Sequence, residues 1–222
     1  MTLFVFDAYG TLFDVAGAAR LAAQEPEGAA LAEAWPQLAD HWRDRQLQYT
    51  WLRATFGAHR DFAAVTADAL DWSMERMGLS DPALRERLLT LYDTLPAYPE
   101  AASTLDALRE AGHDTAILSN GTPAMLDAAV AASGLSGFAA VLSVEDAGVF
   151  KPSQKVYQLV PDRLGVPKGD TVFVSSNGWD AAGAAAFGFR AVWVNRRDEP
   201  VERVLGTPER ILSDLSGLKD ID

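Results

Sequence analysis

The chain contains no cysteine and only three histidines, His41, His59 and His113, scattered over 222 residues. The first absence excludes disulfides, thiolate nucleophiles and cysteine-ligated zinc together. The second leaves no spacing of the kind a zinc site uses, so no metal and no cofactor is expected. Positive charge is scarce as well: 19 Lys and Arg against 31 Asp and Glu give a formal net charge of −12, with no basic cluster to interrupt it. Such a molecule repels phosphate backbones, which makes nucleic acid a poor partner. A small anionic ligand must instead be drawn in by individual cations set near polar motifs. Long apolar runs are also missing. The opening run, "LFVFDAYGTLF", is broken by Asp7, far short of the roughly 18 residues that a membrane span needs. No basic flank or cleavage site marks a signal peptide, so no membrane association and a cytoplasmic location are expected.

What is present suits a substantial core. Hydrophobic side chains make up 49% of the sequence, and a chain of this length buries roughly 70% or more of the surface that it exposes when unfolded. One large domain, or a core domain with an insertion, is the natural range. From about Val15 to Leu95 the sequence is rich in Ala, Leu, Glu, Gln and Arg and poor in β-branched residues, and reads as helices. In "WPQLADHWRDRQLQYTWLRATFG" the sets Trp35, Leu38, Trp42 and Tyr49, Leu52, Phe56 recur at helical spacings, with Gly57 as the stop. Further helices are expected from Phe62 to Met77, and from Pro82 to Tyr92 behind an Asp81 cap.

Beyond Pro96 and Pro99 the texture alternates. A helix from Glu100 to Ala111 precedes the strand "TAILS"; "PAMLDAAVAASG" is helical before "FAAVLSV"; "SQKVYQLVPDRLG" is helical before "TVFVS"; "WDAAGAAAFG" is helical before "RAVWVN". Short apolar runs alternating with helices imply an α/β fold with a mainly parallel, Rossmann-like sheet of five or six strands, covered on both faces. The strand "LFVFD" belongs to the same sheet. Residues 15–96 then form a helical cap inserted into a core made of 1–14 and 97–222. The tail "SDLSGLKDID" carries no clear signal.

In open parallel sheets ligands bind at the carboxyl ends of the strands. The polar residues that follow the apolar runs here are Asp7, then Ser119 and Asn120, then Ser175, Ser176 and Asn177, with Lys151 a few residues beyond "FAAVLSV". Four segments therefore deliver one carboxylate, one ammonium and several neutral hydrogen-bonding groups to one edge. A carboxylate beside an ammonium stays ionised and is available as a nucleophile forming a covalent ester, whose breakdown needs a second group to activate water. Asp180, one helical turn into "SNGWDAAGA", is the candidate. Taken singly, each residue has a plainer reading: Asp7 as a turn residue, Lys151 as a solvated lysine, the Ser and Asn residues as caps, Asp180 as a partner of the helix dipole. It is their shared edge that argues for chemistry.

Through "DAYGT", "LSNG", the "KPS" lysine and "VSSNGWD", nearly the whole chain resembles the haloacid dehalogenase superfamily. Most members of that superfamily are phosphatases or phosphotransferases with a second aspartate two places after the first and an acidic Gly-Asp segment that helps to hold Mg²⁺. This chain has Tyr9 in the first position and Ser175-Ser176 in the second. The changes remove a general acid and a metal ligand that phosphoryl chemistry normally needs, and both are those of the L-2-haloacid dehalogenase branch, whose characteristic cap helix the segment "HWRDRQLQYTWLR" of this chain resembles.

The resemblance implies a four-helix-bundle type of cap and hydrolysis of short L-2-haloalkanoates to D-2-hydroxy acids with release of halide. It implies Asp7 as nucleophile supported by Thr11, Lys151 and Ser175, and Arg43 and Asn120 receiving the halide. Ser119 would bind the substrate carboxylate, and Tyr157, Asn177 and Asp180 complete the set. Tyr9, Leu47, Phe62 and Trp179 are expected to line an apolar pocket, although each could equally be ordinary core. Arg43 and Leu47 lie four apart and so share a helix face, while a solvent-facing arginine among Asp40, Asp44 and Arg45 is the plain alternative. A homodimer is expected by the same similarity. The rival readings are a phosphatase or phosphonatase on the same fold, and a binding protein without catalysis.

Overall fold

The computed structural model describes residues 2–204 and 206–221. Its centre is the strand that the sequence places first: β1 (Leu3–Phe6) is buried at every residue. The other strands are β2 (Asp114–Ser119), β3 (Ala140–Ser143), β4 (Thr171–Ser175), β5 (Arg190–Val194) and β6 (Arg210–Leu212), in the order β3-β2-β1-β4-β5-β6. All five pairings are parallel. The chain adds β2 and β3 on one side of β1 and then crosses to start β4 on the other, so the order reverses at β1 and β4. A crevice opens at the carboxyl ends where such a reversal occurs.

Between β1 and β2 lie five α-helices among the described residues, and the first four, α1 (Gly17–Ala22), α2 (Trp35–Phe56), α3 (Phe62–Arg76) and α4 (Pro82–Asp93), form one block with a 3₁₀ turn at Pro26–Leu31. Local signals set their ends: Asp61 and Asp81 accept backbone N–H bonds from the first turns of α3 and α4, and α2 stops at Gly57. α2 packs on α3, and α1 on α4. The chain leaves for this helical block and returns from it side by side. Asp14 N–H donates to the Pro96 carbonyl at 2.9 Å and Tyr98 N–H to the Leu12 carbonyl at 2.9 Å. The remaining helices, α5 (Ala101–Glu110), α6 (Pro123–Ser133), α7 (Gln154–Tyr157), α8 (Leu159–Leu164) and α9 (Gly178–Phe187), cover the sheet.

Two details differ from expectation, and a third, the sixth strand, falls within the expected five or six. The single helix expected over 153–165 is two short ones, because Pro161 has no N–H to donate to the carbonyl one turn back. β6 is a sixth strand of three residues at the sheet edge, too short and too exposed to leave an apolar run. On α2 the apolar set Tyr49, Leu52, Phe56 is not an interior face: Leu52 is 57% and Phe56 86% exposed. The interior face runs instead through Leu38, Trp42, Gln46 and Thr50.

The packing between α9 and the segment around Lys151 is tight at Gly183, where an added Cβ falls 2.6 Å from the Tyr157 hydroxyl and 2.9 Å from Pro152 Cβ. Gly183→Ala should therefore lose about 1–3 kcal/mol through overpacking, against the gain of about 1 kcal/mol that alanine brings to an open helix position. Denaturant unfolding decides the sign; an unchanged or raised midpoint would show that α9 can shift away.

Candidate active site

Each strand end delivers its polar residue as the sheet geometry requires. Asp7 follows β1 directly, its N–H donating to the Val174 carbonyl of β4 at 2.9 Å. The chain then turns tightly, with the N–H groups of Thr11, Leu12 and Phe13 all directed at the Ala8 carbonyl. Gly10 makes the turn possible with φ +92°, and a Cβ there would stand 3.1 Å from Ser176 Oγ. The turn brings Thr11 Oγ1 back to 3.1 Å from Asp7 Oδ2, where Asn177 Nδ2 also donates at 2.8 Å. Lys151 Nζ donates to the other oxygen, Oδ1, at 3.1 Å. Asp7 is 6% exposed. With two donors on Oδ2 and one on Oδ1, Oδ1 keeps the less committed lone pair.

Lys151 is the hub. It is buried and donates also to Asp180 Oδ2 at 2.8 Å, while the Tyr157 hydroxyl donates to Asp180 Oδ1 at 2.7 Å. Its own N–H donates to Asn120 Oδ1 at 3.1 Å, so the segment after β2 fixes the lysine loop. Burial alone would lower the Lys151 ammonium, but Asp180 and Asp7 outweigh it and hold the group above its ordinary value. Burial likewise pushes the Asp180 carboxyl up while Lys151 pulls it back. The ammonium decides the state of the cluster, since it answers to two carboxylates and each carboxylate to one lysine. Burial also raises the phenols of Tyr157 and Tyr9 well above the ordinary range, so both stay protonated.

Arg43 is turned inward, not solvent-facing. Its guanidinium donates to Gln46 Oε1 at 2.9 Å, to the Tyr9 carbonyl at 3.2 Å and to Asn177 Oδ1 at 3.0 Å, joining the helical block to the Asp7 turn through neutral partners. On its outer side lies a cavity of about 220 Å³ with Leu47, Asn177 and Trp179 in its walls. Tyr9 is buried, stacked on Tyr92 with centroids 5.5 Å apart and packed on Phe62 at 5.6 Å; its hydroxyl has no partner among the described residues. Ser119 Oγ accepts from Gly121 N–H, and Ser175 Oγ from Asn177 N–H, each at 3.1 Å. Among the described residues no three His, Asp or Glu side chains are grouped to hold a metal ion. The ammonium of Lys151 fills the place between two carboxylates where a cation belongs.

The sequence profile of the haloacid dehalogenase-like hydrolases matches residues 1–188. Over 219 residues the chain is 43% identical to (S)-2-haloacid dehalogenase 1 of Pseudomonas sp. (strain CBS-3), covering 98% of this chain and 94% of that protein. The chain belongs to the haloacid dehalogenase-like hydrolases, in their (S)-2-haloacid dehalogenase branch. (S)-2-haloacid dehalogenase 4A of Burkholderia cepacia is also 43% identical, over 96% of this chain and 91% of that one. The solved structure of the L-2-haloacid dehalogenase from Xanthobacter autotrophicus with chloropropionic acid covalently bound matches with a TM-score of 0.90 at 35% identity, covering 100% of this chain and 98% of that one.

The fold thus joins Asp7, Thr11, Lys151, Tyr157, Asn177, Asp180 and Arg43 into one hydrogen-bonded assembly, with Asn120 one bond away. Ser119 and Ser175 brace loops at its edge. Two members, Gln46 and Arg196, escaped the sequence reading, and Ser176 was placed at the edge without a role. Gln46 holds Arg43 and itself donates to Thr66 Oγ1 and Tyr92 Oη; its signal was the i, i+3 spacing in "RDRQ". Ser176 N–H donates to Thr11 Oγ1 at 2.8 Å, orienting the hydroxyl that faces Asp7. Arg196, in the "NRR" that follows β5, donates to the Thr11 carbonyl at 3.1 Å.

Removing the hub leaves two buried carboxylates unpaired. Lys151→Met is expected to cost about 3–5 kcal/mol of stability at neutral pH. Because the folded-state value of Lys151 is raised above 10.5, its contribution is fully present below the ordinary lysine range and is lost as pH rises through the folded value. Urea unfolding from pH 7 to 11 should therefore show the wild type losing stability more steeply than Lys151→Met at the alkaline end. Parallel curves would remove Lys151 from this role.

Proposed function

We propose that the protein hydrolyses short L-2-haloalkanoic acids, such as L-2-chloropropionate and haloacetates, to D-2-hydroxy acids and halide, through an ester on Asp7. The observation that carries this is the setting of Asp7: a buried carboxylate held by a lysine, an amide and a hydroxyl, with Tyr9 and not a second acid two residues on. Phosphoryl transfer asks for an acid to protonate a leaving alcohol and for cations to clamp a multiply charged group. Halide leaves without a proton. The names of the relatives support the same substrate class.

In the first step an Asp7 oxygen attacks C2 from the side opposite the halogen, the carbon–halogen bond breaks, and halide departs with its electron pair as C2 inverts. In the second, water adds to the Asp7 carbonyl carbon, the acyl–oxygen bond breaks, and Asp7 is regenerated with one oxygen from water. Thr11, Lys151 and Asn177 fix the carboxylate. Holding it and C2 in near-attack geometry could contribute on the order of 7–11 kcal/mol. Arg43 and Asn120 receive the halide, Ser119 helps to bind the substrate carboxylate, and Tyr9, Leu47, Phe62 and Trp179 form the apolar surround. Asp180, linked through Lys151 and Tyr157, serves the water step. In this reading residues 15–96 act as a cap over a core of 1–14 and 97–222 and exclude bulk water. Two copies pair as a cytoplasmic homodimer, for which the outward Leu52 and Phe56 offer apolar surface.

Halide release should be confined to the L enantiomer of 2-chloropropionate and unaffected by EDTA, and Asp7→Asn should abolish it. In a single turnover in ¹⁸O-water, the hydroxyl oxygen of the first product should come unlabelled from Asp7. Label in that first product would mean direct attack by water and end the ester mechanism. EDTA-sensitive phosphate release would move the protein to the phosphatase reading.

A further inference from the structure

The helical block hangs on the sheet by a neck of two chain segments. Residues 11–14 lead out of the Asp7 turn and residues 96–100 lead back to α5. They run antiparallel, joined by a bridge between Phe13 and Ala97 and by the two backbone hydrogen bonds from Asp14 N–H to Pro96 and from Tyr98 N–H to Leu12, each 2.9 Å.

One guanidinium spans this neck. Arg196, carried by the loop after β5, places a different nitrogen on each segment: Nη2 donates to the Thr11 carbonyl at 3.1 Å, and Nη1 meets Glu100 Oε1 at 2.7 Å. Its central carbon stands 3.6 Å from the centroid of the Tyr98 ring. The side chains of Arg196 and Glu100 are only 17% and 18% exposed, so salt screens the pair little and the planar fork keeps one geometry. The neighbouring Arg197 is a contrast: it reaches Asp40 of α2 at 3.7 Å, with side chains 66% and 63% exposed, and such a pair is worth little.

What Arg196 grips is the backbone of the residue that orients the nucleophile. Thr11 Oγ1 donates to Asp7 Oδ2 at 3.1 Å and accepts from Ser176 N–H at 2.8 Å. The Thr11 side chain is thus fixed from β4, and its backbone by its own N–H on the Ala8 carbonyl and by Arg196 on its carbonyl. We infer that Arg196 is a positioning residue for the ester-forming step: by tying the Thr11 carbonyl to Glu100 and Tyr98 across the neck, it sets the place of Thr11 Oγ1 and, through it, the aim of the Asp7 carboxylate. The inference rests on the dehalogenase reading and deepens it. It also makes the aim of Asp7 depend on the segment that returns from the helical block.

The test is a double-mutant cycle read from halide release in a single turnover, with enzyme in saturating excess over L-2-chloropropionate, so that the rate reports ester formation and the amplitude counts competent sites. Arg196→Met should slow this turnover about 10- to 100-fold, the scale of a misplacement of about 1 Å, with the amplitude kept. In Thr11→Val, which has no hydroxyl to aim, the same change should cost less than about threefold, because residues that act through one another are not additive. Arg196→Lys, which keeps the charge without the fork, should recover part of the rate. Equal factors in the two backgrounds, a fall in amplitude alone, or an unchanged rate would each overturn the positioning role. If Arg196→Met does not fold, Glu100→Gln, which loosens one side of the fork, carries the same cycle: slower with Thr11 in place, unaltered in Thr11→Val, and refuted by equal factors. Absence of halide release by the wild type would refute the dehalogenase reading instead. The clamp is then decided by amide hydrogen exchange, where Arg196→Met should strip protection from the Asp14 and Tyr98 N–H groups, and unchanged protection overturns it.

Discussion

The structure turns on one ammonium group between two carboxylates. Lys151, Asp7 and Asp180 come from three segments, 144 and 29 residues apart from the lysine, and meet because a parallel sheet sends the ends of its strands to one edge. Three charged groups taken out of water are expensive unless each finds its partners. Here each does: Asp7 accepts from Thr11 and Asn177 as well as Lys151, and Asp180 from Tyr157 as well as Lys151. The β4–α9 turn is central to this, since Ser176, Asn177 and Asp180 leave it towards Thr11, Asp7 and Lys151 in turn. Lose the lysine and the remaining contacts surround an unbalanced negative charge.

Arg43 extends the same logic to the helical block. A molecule with a net charge of −12 discourages anions at long range, so an anionic substrate must find its cation inside the crevice. The hydrogen-bond partners of Arg43 are an amide, a backbone carbonyl and a second amide, all neutral. Its charge is therefore left for whatever anion arrives. Gln46, buried and tied to Thr66 and Tyr92, keeps the guanidinium directed at the Asp7 turn and away from water.

Much of this was legible in the sequence because it follows from position along the chain. Asp7, Asn177 and Asp180 are marked by the apolar runs that stop just before them, and Lys151 by a loop one step beyond another. The alternation of runs and helices gave the parallel sheet for the same reason. Features that depend on distant partners were hidden. Gln46 looks like any helix-surface glutamine until Thr66 and Tyr92 close over it, and Ser176 like a spare neighbour of Ser175. Leu52 and Phe56 have helical spacing yet face outwards, since spacing tells that a face exists and not what covers it. Pro161 was visible, but its effect on a short helix competes with the apolar pattern around it.

The two-step reading puts a further demand on Asp180. While Asp7 is a free carboxylate, its charge is one of the influences that raise the Asp180 carboxyl. Once Asp7 is an ester that charge is gone, and Lys151 has a single carboxylate left to answer. Asp180 is then a weaker base at the moment when water must be activated, with Tyr157 still donating to one oxygen and Lys151 to the other. Its service in the second step is better matched to holding Lys151 and the water in place than to taking a proton outright. Proton abstraction by Asp180 requires that one of its two hydrogen bonds first be released, and the bond to Tyr157, from a neutral phenol, is the weaker of the two.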